Sequence, residues 1–322
     1  MNSKPKVFVT RLIPDAGLDK IKVACDAEVW PEDLSPFYET LVEKVRGLDG
    51  LLCLLTERID GALMDAAGSQ LKVISQMAVG YDNIDIPAAK ERGIPVGNTP
   101  GVLTDATADL TMALLLAGAR RIIEGVNYIK DGKWQTWEPM GLLGADLRDA
   151  TLGIIGLGRI GKAVAERCAG FKLRILAHSP SATQEEAAKV GVTLVDLDEL
   201  LRESDFVSIH APLNDSTRHL IDRDALALMK PGAILINTAR GGLVDQTALY
   251  DALTSGEVSG AALDVTDPEP LPLGEPLLTL PNVIILPHIG SASRRTRDLM
   301  ASMAADNLLA GLRGEPLPNA VK

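Results

Sequence analysis

Three residues able to carry acid–base and anion chemistry follow apolar runs in the second half of the chain. Arg240 follows Ile234–Asn237, Glu269 follows Ala261–Val265 and His288 follows Val283–Leu286. Ligands of open α/β sheets gather outside the carboxyl ends of the strands, so chemistry is expected at these positions. The Arg240 guanidinium can fork two hydrogen bonds to a carboxylate. An imidazole such as that of His288 passes a proton near neutrality, and Glu269 can orient that imidazole and favour its protonated form. Each residue also has a plain reading. Arg240 could be a loop ion-pair partner, Glu269 in Asp267-Pro-Glu-Pro270 a solvated carboxylate, and His288 a cap for the segment after it. Beside a nucleotide fold, the three together suit hydride transfer to a carbonyl. His178, His210 and His219 read as structural or surface residues, and four histidines without i,i+4 pairing give no reason to expect a metal.

The nucleotide fold is signalled at residues 150–177. Thr151–Ile155 is an apolar run too short for a helix and reads as a buried parallel strand. Gly156, Gly158 and Gly161 follow in G-x-G-x-x-G spacing. Residues 159–171 carry a helical stripe through Ile160, Val164 and Cys168, and Leu173–Ala177 is a second strand-like run. Strand, glycine turn, helix and strand form the dinucleotide-binding βαβ pattern. Gly156 allows the tight turn, Gly158 has no Cβ to block a pyrophosphate, and Gly161 lets helix and strand approach. The helix N-terminus offers N–H groups and a positive dipole end to phosphates.

The remaining elements are those of an α/β chain. Strands are expected at Val7–Thr10, Ala27–Trp30, Gly50–Leu55 and Leu71–Met77. Helices are expected after Ile13, over Ser35–Val45 with Ser35 as N-cap and Pro36 at the first position, and over Asp60–Ala67. Thr104–Ile123 reads as one long helix, so apolar that it must be buried on several sides, and residues 124–149 as an irregular segment holding Trp134 and Trp137. Past Ala177, strands at 193–195, 206–210, 233–237, 260–265 and 283–286 alternate with helices at 185–189, 197–202, 224–229, 246–255 and 292–313.

Composition narrows the partners. The chain has 322 residues, enough for two domains. It is 46% hydrophobic and only 3% aromatic, so its core is aliphatic. A net charge of −11 without a basic run argues against nucleic acid and anionic membranes. Cys25, Cys53 and Cys168 fit neither a disulfide framework nor a zinc site and read as buried thiols. No signal-peptide h-region precedes Val7 and no run reaches membrane-spanning length, so a reducing cytoplasm is expected.

With these residues in view, the chain resembles the D-isomer-specific 2-hydroxyacid dehydrogenases. The glycine fingerprint at 153–161, Leu235-Ile-Asn-Thr-Ala-Arg-Gly-Gly-Leu-Val-Asp245, and Asp264-Val-Thr-Asp-Pro-Glu-Pro270 with Leu286-Pro-His-Ile-Gly-Ser-Ala292 carry the likeness. Ala78-Val-Gly-Tyr-Asp-Asn-Ile-Asp85 and Thr107-Ala-Asp-Leu110 extend it over essentially the whole chain. Leu51-Leu-Cys-Leu-Leu-Thr56, Gly132-Lys-Trp134 and Leu142-Leu-Gly144 are similar to the glyoxylate/hydroxypyruvate reductase branch.

The resemblance implies two Rossmann-like domains. A doubly wound NAD(P)-binding domain, 99–289, is inserted in a flavodoxin-like substrate domain made of 1–98 and 290–322, with the active site in the cleft between them. It implies that Arg240 binds the substrate carboxylate and polarises its carbonyl, that His288 donates the proton, and that Glu269 is its partner. Val79 and Gly80 would offer backbone N–H groups to the carboxylate, with Leu55 near the small substituent. Asp264 would hold the nicotinamide carboxamide, with Thr238, Ala239 and Arg240 lining the cofactor. Thr107, Gly156, Leu157, Gly158, Arg159, Ile160, Gly161, Ser179, Pro180, Ser181, His210, Pro212, Thr217, His288 and Gly290 complete the implied cofactor set. A homodimer is expected, and Trp137 either packs locally or reaches a partner's active site, two readings of equal weight.

One departure bears on the cofactor. NAD-using members usually carry an Asp where this chain has Ser179, in Ala177-His-Ser-Pro-Ser181. Without that carboxylate a 2′-phosphate is not repelled, so NADP(H) is favoured and NAD(H) remains possible. No Arg or Lys follows to bind such a phosphate. The expected activity is reduction of a small 2-oxo acid, glyoxylate or hydroxypyruvate, to glycolate or D-glycerate. The alternatives are a D-lactate or phosphoglycerate type of dehydrogenase, or a non-catalytic nucleotide sensor resembling the corepressors of this family.

Overall fold

Short aliphatic runs alternating with helical stripes give two all-parallel sheets in the computed structural model, which describes residues 4–321. By its contacts the chain divides into two compact units, Met1–Leu103 with Ser291–Lys322, and Thr104–Gly290. Val102 and Leu103 pack on the core of the first unit, which carries the chain past Asn98 before the second begins.

In the first unit, strands β1 (Lys6–Val9), β2 (Asp26–Val29), β3 (Gly50–Cys53), β4 (Val73–Gln76) and β5 (Val96–Gly97) lie in the order β2-β1-β3-β4-β5. This is the flavodoxin-like order, and its direction of winding reverses between β1 and β3. The central strands β3 and β4 are buried along their whole length, as strands covered on both faces must be. One face carries Phe8, Leu51, Leu63 and Ile74. The other carries Val7, Leu18, Leu52 and Val73, together with Met300, Ala304 and Leu308 of the C-terminal helix Arg294–Leu312. That helix sits very close to its neighbours. A Cβ at Gly17 would collide with the Ala301 carbonyl, and one at Gly311 would lie 2.5 Å from Val73 Cβ.

In the second unit, β6 (Thr151–Ile155), β7 (Arg174–His178), β8 (Thr193–Leu194), β9 (Phe206–Ile209), β10 (Ile234–Asn237), β11 (Gly260–Leu263) and β12 (Val283–Ile285) order as β12-β11-β10-β9-β6-β7-β8. This is the doubly wound nucleotide-binding order with one added strand, and it reverses between β6 and β9. Helices Thr104–Ala119 and Arg159–Cys168 pack on one face with Leu152, Ile154 and Ile236. Gln246–Ser255 and its neighbours cover the other, with Val207, Leu235 and Leu263.

Several local expectations need correction. The apolar helix stops at Ala119 rather than Ile123, and a separate helix, Ile122–Lys130, follows Arg121 at φ 50°. The Ala119 carbonyl accepts the Ala145 N–H at 2.8 Å, so a distant segment captures the helix end. Nothing in the local sequence announces that contact. Ser35 is not a helix cap: the helix is Tyr38–Lys44, its N-cap Phe37 makes no side-chain bond, and the Ser35 hydroxyl accepts from Arg11 at 2.6 Å. The helix after the glycine turn ends at Cys168, with a 3-10 turn over Ala169–Phe171. Helix Ile86–Glu91 and strand Val96–Gly97 were not expected. Asp85 caps that helix through the Ala88 N–H, and Pro87 stands in its first turn, a signal legible in the sequence.

All three cysteines are buried free thiols, and burial pushes Cys168 up to about 12, an unreactive state. Among the described residues no helix is long and apolar enough to cross a membrane.

Candidate active site

The three glycines after β6 do three different things. Gly156 turns at φ 96°, where a Cβ would lie 2.7 Å from the Ala211 nitrogen. A Cβ at Gly158 would meet nothing within 4 Å, which leaves open space at the mouth of the helix. One at Gly161 would collide with the Gly156 carbonyl oxygen. Helix Arg159–Cys168 starts with no side-chain cap on its N-cap Gly158, so its first N–H groups remain available to an anion. Leu157 is buried, and Arg159 and Ile160 open the helix. A dinucleotide pyrophosphate fits this cradle. Replacing Gly161 by alanine should cost about 1–3 kcal/mol through overpacking and weaken dinucleotide binding, measurable as a lower melting temperature and a higher cofactor Kd.

The three candidate chemical residues come from neighbouring strand ends of the same sheet. His288 Nδ1 lies 2.8 Å from Glu269 Oε2, and both side chains are about one-third exposed (27% and 33%). The other Glu269 oxygen accepts the Thr266 N–H at 3.0 Å. Burial alone would raise the Glu269 carboxyl. The hydrogen bond and charge of His288, the Thr266 N–H and the charge of Arg240 outweigh it and hold the group below the usual glutamate range. A carboxyl lower in the folded than in the unfolded state stabilises the fold above its unfolded value. That contribution is lost as pH falls through the folded one.

Each of these loops is clamped by a neighbouring side chain. The Asn237 amide donates to the Arg240 carbonyl at 2.8 Å and accepts the Ala239 N–H at 3.0 Å. The Gln246 amide donates to the Asp267 carbonyl at 2.8 Å and accepts its N–H at 2.7 Å. Asp264 is buried, and its two oxygens accept the Ile289 and Gly290 N–H groups, both at 2.7 Å. Its carbonyl takes the His288 N–H at 2.9 Å, which holds His288 at φ 54°, a conformation non-glycine residues adopt only when surroundings impose it. Burial raises the Asp264 carboxyl above the usual range against those two N–H groups. The roles of Asn237 and Gln246 escaped sequence reading. An Asn ending a strand three residues before Arg240 is a turn signal that could have found the first.

The remaining cofactor candidates divide into groups. Thr111 joins the Thr107 carbonyl (2.9 Å) to the Thr238 hydroxyl (2.9 Å), and a Cβ on Gly290 would lie 3.4 Å from Thr107 and 3.1 Å from Asp264. Thr107, Thr238, Asp264 and Gly290 therefore gather at one place. His210 follows β9 and lies against the Gly156 turn. Its Nε2 is 2.9 Å from the Ser208 hydroxyl, and burial pushes the imidazole down to about 4. Thr217 donates to the Pro212 carbonyl at 2.7 Å and closes that loop. Ser179, half-buried, and the exposed Pro180 and Ser181 form a turn after β7, closed by the Ala182 N–H on the Ser179 carbonyl at 3.1 Å.

In the first unit, Leu55 is 36% exposed in the loop after β3. Val79 and Gly80 follow β4. The Asn98 amide donates to the Val79 carbonyl at 2.8 Å, and the Gln76 amide to the Gly80 carbonyl at 3.2 Å.

Comparison with known proteins agrees with this geometry. Residues 112–290 match the family model described as "D-isomer specific 2-hydroxyacid dehydrogenase, NAD binding domain". The chain is 50% identical over 319 residues to a glyoxylate reductase of Korarchaeum cryptofilum, covering 99% of this chain and 96% of that protein. It is 48% identical over 320 residues to the glyoxylate reductase/hydroxypyruvate reductase of Homo sapiens, covering 98% of each. The crystal structure of the TT0316 protein from Thermus thermophilus superposes with a TM-score of 0.91 at 50% identity, covering 98% of this chain and all of that one. The glycine cradle, the clamped strand-end residues and a likeness running the length of the chain lead to one assignment: this protein belongs to the D-isomer specific 2-hydroxyacid dehydrogenases, oxidoreductases that use a nicotinamide cofactor.

Proposed function

We propose that this enzyme reduces glyoxylate and hydroxypyruvate, to glycolate and D-glycerate. The observation that carries the reading is the His288–Glu269 pair, 2.8 Å apart, on strand ends of the sheet that bears the glycine cradle. The names of relatives about half identical over nearly the whole chain support the substrate. They do not favour the D-lactate, phosphoglycerate or corepressor alternatives.

In this reading the cofactor supplies a hydride to the carbonyl carbon. Arg240 forks to the substrate carboxylate and polarises the carbonyl oxygen. In the first unit, the Val79 and Gly80 N–H groups would serve the substrate carboxylate, and Leu55 would bound the small substituent. Glu269 holds Nδ1 of His288, which leaves Nε2 to deliver a proton to the alkoxide forming on the substrate. Asp264 fixes the His288 loop and keeps lone pairs for the carboxamide of the cofactor. The cradle Gly156–Gly161, with Thr107, Thr238, Ala239, His210, Pro212, Thr217 and Gly290, lines the rest of the cofactor.

NADPH is the favoured cofactor. Ser179 and Ser181 present hydroxyls, not a carboxylate, where the adenosine ribose is expected, so a 2′-phosphate meets no like charge. A cytoplasmic homodimer completes the reading. Support for the dimer comes from exposed Ile122, Ile123, Val126, Ile129, Trp134, Trp137, Met140 and Leu143, crowded into one stretch.

The test is steady-state reduction of glyoxylate, hydroxypyruvate and pyruvate with each cofactor. High glyoxylate turnover with NADPH supports the reading, and no turnover of glyoxylate or hydroxypyruvate overturns it. Ser179→Asp should move the NADPH/NADH ratio of kcat/KM toward NADH by about tenfold or more, since one repelled phosphate is worth about 1.4 kcal/mol or more. An unmoved ratio would place ribose recognition elsewhere.

A further inference from the structure

The first unit holds a polar network that nothing in the chemistry above uses. Asn83 lies beyond the ends of the strands. Its amide nitrogen donates to two carbonyls, Leu54 O at 3.0 Å and Glu57 O at 2.8 Å. These partners stand on either side of Leu55 and Thr56. The Asn83 side-chain oxygen accepts from the Gln76 amide at 2.7 Å, and that same Gln76 nitrogen donates to the Gly80 carbonyl at 3.2 Å. One pair of side-chain amides thus ties the Leu54–Glu57 loop after β3 to the Val79–Gly80 loop after β4.

The Leu54–Glu57 loop is also fixed from below. The Glu57 side chain is fully buried beside Arg11, 3.6 Å away. Its carboxylate accepts from Thr10 (2.8 Å), from Thr56 (2.6 Å) and from the Leu54 N–H (2.6 Å). Thr10 follows β1 and Leu54 follows β3, the two strands between which this sheet reverses its winding and where ligands of such sheets are expected. The ordering hydrogen bonds hold the loop at Leu54, Thr56 and Glu57, while the Leu55 side chain stands at the surface.

We propose that Asn83, acting through Gln76, is a positioning residue that sets substrate selectivity. It fixes the separation between the Leu55 side chain and the Val79–Gly80 backbone. This inference rests on the reading that Leu55 meets the substituent of the 2-oxo acid and that Val79 and Gly80 meet its carboxylate. On that reading the network fixes the span between carboxylate seat and side-chain wall, and a short span admits only a small substituent. A shift of about an ångström in a positioned group costs on the order of a hundredfold in rate. Loss of Asn83 leaves the buried Gln76 amide short of a partner, an unfavourable state from which the loops are expected to rearrange.

The test compares Asn83→Ala, Asn83→Asp, Gln76→Met and Leu55→Ala with the unaltered protein. Thermal unfolding of each is recorded, and kcat and KM are measured for glyoxylate, hydroxypyruvate and 2-oxobutanoate. In the Asn83 and Gln76 variants the KM for glyoxylate should rise at least tenfold, with the cofactor KM within twofold. The 2-oxobutanoate/glyoxylate ratio of kcat/KM should move in the same direction as in Leu55→Ala. Gln76→Met keeps the side-chain volume while breaking all three hydrogen bonds of the amide, including the one its oxygen accepts from the Cys53 thiol at 3.0 Å, so it decides the matter if an Asn83 variant does not fold. Unchanged substrate ratios in Asn83→Asp and Gln76→Met, with a changed ratio in Leu55→Ala, overturn the inference and leave the substrate reading standing. An unchanged ratio in Leu55→Ala removes the reading of Leu55, and the inference falls with it.

Discussion

Turnover of glyoxylate falls by roughly 10²–10⁴-fold in His288→Ala, the usual size of a lost general acid, while the cofactor KM stays within a few-fold. The expectation rests on how the imidazole is held. Nδ1 is committed to Glu269 at 2.8 Å, so one nitrogen and one direction remain for the substrate. The backbone under His288 is fixed independently of its side chain, by the Asp264 carbonyl and by two further N–H groups on the Asp264 carboxylate. Removing the ring should therefore empty the position without collapsing the loop. The loss belongs in kcat, since the proton is needed in the transition state and not for binding. Added imidazole should restore part of the rate, because the side chain is partly open to solvent. A variant with near-normal turnover would take His288 out of the proton path.

Arg240→Gln should lower kcat/KM for glyoxylate by about 2–5 kcal/mol, roughly 30- to 5,000-fold, the cost of truncating one partner of a hydrogen-bonded charge pair. Arg240→Lys should fall between the two, since it keeps the charge and loses the fork. The Arg240 guanidinium donates to the Ala239 carbonyl of its own loop at 2.7 Å, but other contacts also hold that loop. Asn237 grips its backbone on both sides, at Ala239 N and Arg240 O. Gly241 packs so closely on the Thr266 backbone that a Cβ there would collide with it. A rise in KM for the 2-oxo acid at an unchanged cofactor KM identifies the anchor. Equal losses toward both would mean that the loop had moved.

Much of this was legible before the structure. A glycine triplet between two aliphatic runs admits few backbones, and Gly156, Gly158 and Gly161 have the three environments their spacing implies. The parallel sheets also followed from short apolar runs alternating with helical stripes. What was hidden is contact between residues far apart in sequence. Nothing local says that Ala145 will cap the helix at Ala119, so Thr104–Ile123 read as unbroken. Likewise Ser35 looked like a cap, because its partner Arg11 lies 24 residues away. Among candidate site residues, chemistry-bearing types at strand ends stood out, whereas the amides that aim them did not. Asn237, Gln246 and Asn83 are ordinary polar residues until their carbonyl partners are known.

The C-terminal helix Arg294–Leu312 has a consequence for the order in which this chain can mature on the ribosome. Strands β1–β5 are made first, yet the helix that buries Val7, Leu52 and Val73 lies beyond residue 290. The second unit, Thr104–Gly290, is contiguous and has its full set of strands as soon as it emerges. At roughly 5–20 residues per second, the earlier strands wait roughly ten to forty seconds with one aliphatic face covered only by helix Asp15–Ala24, through Leu18 and Ile21. The part of the protein translated first is thus the part finished last, and the nascent chain passes through a stage in which that half-covered sheet face is open to adhesion.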